Sequence, residues 1–217
     1  MRTTTAGPAT ATAISSPIRR HRALVAALAV TGAAALAACG GSGGEDEASG
    51  PPAPANPAAF AWLHPGPTPS GWRTRRLPSG KSQLAYPNDW HLTRTDPGTV
   101  TAASTSGDEI RGYLNITPQQ GEESLAGWAS FRPGHNIEEG DRDLVPLASA
   151  TGLPFRNGTG SCVKDEYATE TGHHYREIAC IVRGPSATTV IVGATPPDLW
   201  NRYSPALERA ISSFSVS

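Results

Sequence analysis

The sequence predicts an α+β domain with a largely antiparallel sheet. Three observations carry that expectation. Short runs rich in β-branched and aromatic residues alternate with Gly, Pro and Asp turns. One helical stretch interrupts them midway, and an amphipathic helix closes the chain. Strands, helix, strands and terminal helix make an α+β order.

Each element has its own signal. Residues 72–77 and 82–86 flank Pro78-Ser79-Gly80, a hairpin turn. Residues 90–95 and 98–104 flank Asp96-Pro97-Gly98, and residues 111–117 alternate as a fifth strand. In residues 122–131, Leu125, Trp128 and Ala129 stand at helical spacing, and Pro133-Gly134 is expected to end that helix. Residues 144–148 signal a strand weakly, whereas 161–168, 173–182 and 188–194 do so clearly. The last helix takes Ser204 as its cap and Pro205 in its first turn, where a missing N–H costs nothing. Leu207, Ala210, Ile211 and Phe214 form its buried stripe. The domain is expected to span residues 60–217, and all five Trp lie within it.

Ahead of it lies an export address. Arg19-Arg20-His21-Arg22 is a positive n-region, and residues 23–38 are an uncharged Ala/Leu/Val run. Its 16 residues suit a signal peptide and fall short of the roughly 20 of a spanning helix. The run closes on Leu36-Ala37-Ala38-Cys39, which resembles the lipobox of bacterial lipoproteins at all four positions. Residues 1–38 are therefore read as a signal peptide and Cys39 as the lipidated residue, anchored by two or more acyl chains. His21-Arg22 stands where a twin-arginine signal wants apolar residues, which favours the general secretory route. Residues 40–59 are expected to be an unstructured tether: Gly-Gly-Ser-Gly-Gly, then Glu45-Asp46-Glu47, then a proline-rich run. From Cys39 onward, 14 Lys and Arg face 19 Asp and Glu, a formal charge of −5. That balance argues against a nucleic-acid binder and against electrostatic attachment to anionic lipid.

Setting Cys39 aside leaves an even pair, and exported compartments let disulfides persist. Facing residues in an antiparallel pair have a constant number sum, so Cys162 opposite Cys180 centres the hairpin on Thr171. Thr169 then faces His173 across Glu170-Thr171-Gly172, a three-residue loop that wants Gly last, in the left-handed conformation. The same register sets Glu166 opposite Arg176 and Tyr167 opposite Tyr175. A Cys162–Cys180 disulfide is the expectation, with two buried free thiols as the alternative.

Tyr86-Pro87-Asn88-Asp89-Trp90 is a strand ending in an aromatic-Pro-x-x-Trp turn. Together with the closing Trp200…Pro205…Ile211-Ser212-Ser213-Phe214, it resembles the signature of PsbP-like domains. Short actinobacterial lipoproteins of the LpqN type carry that fold behind such a tether. The resemblance implies a single three-layer α/β/α sandwich and a non-enzymatic module that binds a partner or a small ligand. It brings no catalytic residues and no cofactor.

Other patterns fail on chemistry. Pro78-Ser79-Gly80-Lys81-Ser82 ends like a phosphate-binding loop, but Arg75 stands where the motif needs its first Gly. Ser161-Cys162-Val163-Lys164 matches Ser-x-x-Lys by letter, yet residues three apart in a strand face opposite ways. His173 and His174, adjacent in a strand, cannot easily share a metal. Glu138, Glu139, Asp141 and Asp143 fit no calcium loop and read as charged surface. Trp62 and Trp72 read as core packing before pocket lining.

The expected function is an extracytoplasmic, lipid-anchored binding or assembly module of the cell envelope. Its partners would be the membrane, through the anchor, and an envelope protein or small apolar ligand. No cofactor, metal or catalytic residue is expected. The alternatives are an envelope hydrolase assembled from scattered residues, marked by a Ser or His meeting a carboxylate in a cleft, or a purely structural lipoprotein.

Overall fold

The computed structural model describes residues 51–217. Two sheets form. The strands β1 (Arg73–Arg76), β2 (Ser82–Tyr86) and β10 (Ser215–Val216) make a small sheet in the order β1-β2-β10. The large sheet holds β3 (His91–Thr93), β4 (Val100–Ser106), β5 (Glu109–Pro118), β6 (Arg142–Phe155), β7 (Gly158–Ala168), β8 (His174–Arg183) and β9 (Thr188–Thr195). Its order is β3-β4-β5-β9-β8-β7-β6, with every ladder antiparallel. Helices α1 (Trp128–Glu138) and α2 (Trp200–Ser213) complete the α+β sandwich.

Strand alternation builds two cores on opposite faces of the large sheet. Cys162, Ile178, Cys180, Ile191 and Leu114 pack with Leu207 and Ile211 of α2 and with Phe214 just beyond its end. Val163, Ala179, Ile181, Val190 and Val192 pack with Trp128 of α1. The stripe expected on the last helix, Leu207, Ala210, Ile211 and Phe214, is fully buried.

The β7–β8 register is the one the cysteine arithmetic requires. Cys162 faces Cys180, Glu166 faces Arg176 and Tyr167 faces Tyr175. The Thr169 N–H donates to the His173 carbonyl at 2.8 Å, and Gly172 holds φ +85°. Cys162 and Cys180 are joined by a disulfide, with Cα atoms 4.1 Å apart.

Three differences from the sequence reading change the packing. Helix α1 runs Trp128–Glu138 rather than 122–131, with Pro133 inside it. Proline has no N–H for the Ala129 carbonyl four residues back; the Ala53 N–H donates to that carbonyl instead, at 2.8 Å. The acidic stretch before α1 is a turn in which Glu123 Oε2 accepts from the Gln120 and Gly121 N–H groups. Helix α2 starts at Trp200, behind a 3-10 turn at Pro197–Leu199, so Ser204 is no cap and Pro205 lies inside. Pro205 and Asn201, the residue whose carbonyl it leaves free, are both exposed, so water can take that bond.

The third difference is the tether. Its expected end, residues 51–59, is part of the fold. Ala53 is buried, the Asn56 N–H donates to the Ser149 carbonyl at 2.8 Å, and the Ser149 N–H donates to the Pro54 carbonyl at 2.7 Å. Ser149 lies on β6, the edge of the large sheet, whose open backbone groups need partners. A 3-10 turn at Pro57–Phe60 then buries Phe60. Residues 40–50, the signal peptide and Cys39 lie outside the described residues.

Strand β6 was weak in sequence for a visible reason. Its register shifts three times, and Asp143 takes φ +54°, so the period-2 pattern is broken.

Candidate functional site

Two polar assemblies stand on this scaffold, one buried and one open. The buried one lies between α1 and the sheet. Asp165 on β7 faces Glu177 on β8 in the Cys162–Cys180 register. Both are fully buried. Arg132 of α1 reaches down to Glu177 with two charge-assisted bonds, Nε to Oε1 at 2.6 Å and Nη2 to Oε2 at 2.9 Å. The Tyr167 hydroxyl donates to Glu177 Oε2 at 3.2 Å and meets the Tyr113 hydroxyl at 3.3 Å. Burial pushes both phenols well above their ordinary range, so they stay neutral. Trp128 Nε1 donates to the Ala179 carbonyl at 2.9 Å, pinning the start of α1 to β8.

Arg132 is engaged by Glu177, and Asp165 is left without a bonded partner at either carboxyl oxygen. Burial, then the Glu177 charge, push the Asp165 carboxyl up to about 9. It is therefore protonated at neutral pH. Asn136 of α1 is also fully buried with neither amide atom bonded.

A stability slope follows. The folded value lies above the unfolded value of about 4, so between pH 4 and 9 the unfolded chain sheds a proton that the fold keeps. Stability falls as pH rises through that window, by up to about 1.4 kcal/mol per pH unit. Asp165→Asn removes the ionisation, so the variant is expected to match the parent near pH 4 and exceed it near pH 8. Urea unfolding across that range checks this, and an unchanged slope in the variant contradicts it.

The open assembly is a cleft of about 390 Å³ between the end of the β4–β5 hairpin and the start of α2. Ser104, Thr105 and Ser106 line it from β4 and Arg111 from β5. Arg202 and Tyr203 line it from the first turn of α2, with Leu199 just before them. The β4–β5 register shifts between Ser104 and Thr105, a bulge that re-aims the side chains beyond it. Thr195 Oγ1 donates to the Arg111 carbonyl at 2.6 Å and fixes the backbone there. The Tyr203 hydroxyl meets Ser104 Oγ at 3.3 Å, and its ring packs on Trp90. Gly112 gives that ring room, because a Cβ would stand 3.2 Å from Tyr203 Cδ1 and press it outward by a few tenths of an ångström. Arg111 bonds Glu109 at 3.1 Å on the rim, and the Arg202 guanidinium lies over the Tyr203 ring at 5.5 Å.

The residues weighed in sequence take other places. Cys162 and Cys180 lie in the core beneath α2, as a cross-strand staple. Ser161 and Lys164 point to opposite sheet faces. Lys164 Nζ donates to the Ala59 carbonyl at 3.0 Å and sits 5.6–5.8 Å from the Phe60, Trp62 and Trp200 rings. Trp62 and Trp72 pack against the main core. Residues 78–82 turn the β1–β2 hairpin, and His173 and His174 are exposed where β8 begins. His135 Nε2 approaches Glu139 at 3.4 Å on the open flank of α1, not in a cleft. Among the described residues, no three His, Cys, Asp or Glu side chains converge to hold a metal ion.

The sequence reading missed both assemblies. One signal was available: the register that pairs Cys162 with Cys180 also sets Asp165 against Glu177, on the face shared by Val163 and Ala179. The cleft had none, since Ser104 and Tyr203 stand 99 positions apart.

No protein-family model matches the chain, and no curated protein matches it. Among solved structures, it is similar to cyanobacterial PsbP (CyanoP) from Synechocystis, at TM-score 0.50 and 14% identity, covering 69% of this chain and 94% of that one. It also matches LpqN of Mycobacterium tuberculosis, a protein described as involved in cell envelope biogenesis. There the TM-score is 0.38 and the identity 13%, over 67% of this chain and 90% of that one. A Pseudomonas aeruginosa protein of unknown function matches at TM-score 0.43 and 14% identity, over 66% of this chain and 95% of that one. The protein is thus an α+β sandwich with the PsbP fold.

Proposed function

We propose that this protein is a lipid-anchored binding or assembly module on the extracytoplasmic side of the cell envelope, and not a catalyst. The observation that carries the binding reading is the cleft's lining. Guanidinium, hydroxyl and phenol groups from two strands and a helix line one concavity on rigid supports, the arrangement of a recognition site. Nothing in that lining is a carboxylate, imidazole or thiol able to accept a proton from a nucleophile, which hydrolysis needs. The walls are polar, so the cleft suits a polar group better than the small apolar ligand expected from sequence. An envelope protein remains a partner of the same module.

Anchoring rests on Leu36-Ala37-Ala38-Cys39 and on the acidic balance beyond it, which leaves acyl chains as the membrane link. Among the described residues no helix is long and apolar enough to cross a membrane. Cys39→Ala is expected to abolish incorporation of labelled fatty acid and to release the protein from membranes or leave it unprocessed. Fractionation checks both. A processed alanine variant that still sediments with membranes overturns the anchor.

A further inference from the structure

We propose that the cleft between the β4–β5 hairpin and α2 binds a phosphate group carried on a small polar ligand or lipid headgroup. The inference rests on the binding-module reading and names the chemistry its site would take.

The argument begins with donors. Every polar side chain lining the cleft can donate a hydrogen bond, and its two charged side chains, Arg111 and Arg202, are cationic. They approach from different elements, β5 and the first turn of α2, while Ser104 and Ser106 stand on a third, β4. A planar carboxylate satisfies one guanidinium fork. A tetrahedral oxyanion presents acceptor oxygens in several directions at once and can use donors from all three walls. The cleft volume, about 390 Å³, also leaves room for a sugar- or glycerol-sized group attached to the phosphate.

Both arginines are available to a ligand. Arg202 is exposed and carries no ion pair among the described residues. Its stacking on Tyr203 orients the guanidinium while leaving the N–H edge free. Arg111 has Glu109 as counter-ion, but that carboxylate is 57% exposed. Such a pair has little net worth in water and yields to a better-placed anion. The seat itself is fixed in advance: Thr195 holds the Arg111 backbone, Gly112 lets Tyr203 lie close to the sheet, and the bulge at Ser104/Thr105 redirects the hydroxyls. Preorganised donors lose less freedom when the anion arrives.

The test uses the full chain, in detergent for the soluble ligands and reconstituted in detergent-free nanodiscs for the vesicles. Calorimetric titrations employ inorganic phosphate, glycerol 3-phosphate, glycerol, and vesicles of phosphatidylcholine with or without phosphatidylglycerol. Saturable binding of phosphate or glycerol 3-phosphate, weakened at least tenfold in Arg202→Gln and in Arg111→Gln, is the expected result. Thermal unfolding of both variants should match the parent, since neither side chain is buried. Saturation by the phosphatidylglycerol vesicles alone, with the same loss in both variants, assigns the phosphate to a lipid headgroup. Phosphate binding unchanged by either substitution, or no saturable binding of any phosphate compound, overturns the proposal. Glycerol binding that ignores both substitutions overturns it too, yet leaves the binding module standing. Release of phosphate from glycerol 3-phosphate by the protein would instead overturn the non-catalytic reading while keeping the site.

Discussion

Replacing Glu177 with leucine is expected to lower the unfolding free energy by about 3–5 kcal/mol. Arg132 is 88% buried at its side chain, and Glu177 is fully so. Removing the carboxylate strands the guanidinium under α1, away from water and without its hydrogen-bonded counter-charge. It also takes the acceptor from the Tyr167 hydroxyl. The converse substitution, Arg132→Met, leaves Glu177 facing Asp165 without a counter-charge and should be similarly severe. The two changes together, Arg132→Met with Glu177→Leu, should recover most of the loss, because a buried ion pair is often no better than well-packed apolar side chains. Denaturant unfolding of the four proteins forms a double-mutant cycle. Near-additive losses would mean that the two side chains do not act as a pair.

Opening the Cys162–Cys180 disulfide ranks second. The bond closes a loop over 18 positions, for which chain entropy gives about 3 kcal/mol. Cys162→Ala with Cys180→Ala should lose roughly that amount, since both residues are buried and their neighbours can close only in part. The unfolded, unreduced protein should show neither Cys162 nor Cys180 reacting with a thiol label. Labelling at both positions in every molecule sinks the disulfide.

The two predictions differ in how they became visible. The disulfide could be argued from residues alone because one hairpin contains everything it needs. A loop with Gly172 in the left-handed conformation, an aromatic pair and a charge pair all demand one register, and strand pairing carries that register to the cysteines. The Glu177–Arg132 pair needed one more fact, the position of α1. The strand partner, Asp165 against Glu177, was already implied by the same register, but two facing carboxylates make no sense until a cation arrives from elsewhere.

The frame of α1 itself shows why local signals mislead. Pro133 reads as a stop because it cannot give the Ala129 carbonyl its bond. Ala53, 76 residues earlier, supplies the N–H that satisfies it. The same contact turned the end of the expected tether into part of the fold. Proline-rich composition predicts an extended backbone there, and the backbone is extended; only an open sheet edge at Ser149 decides that it docks.

By itself, then, the sequence determined the α+β class, the β7–β8 register with its cysteines and the buried stripe of α2. These depend on periodicity, turn chemistry and short motifs, each acting over a few residues or across one hairpin. Only the tertiary structure decided that β9 lies between β5 and β8, that residues 51–59 belong to the domain, that Arg132 neutralises Glu177, and that Arg111 and Arg202 share a cleft. Those outcomes depend on which faces meet. Burying two apolar faces of one sheet brings together polar side chains that no spacing along the chain connects.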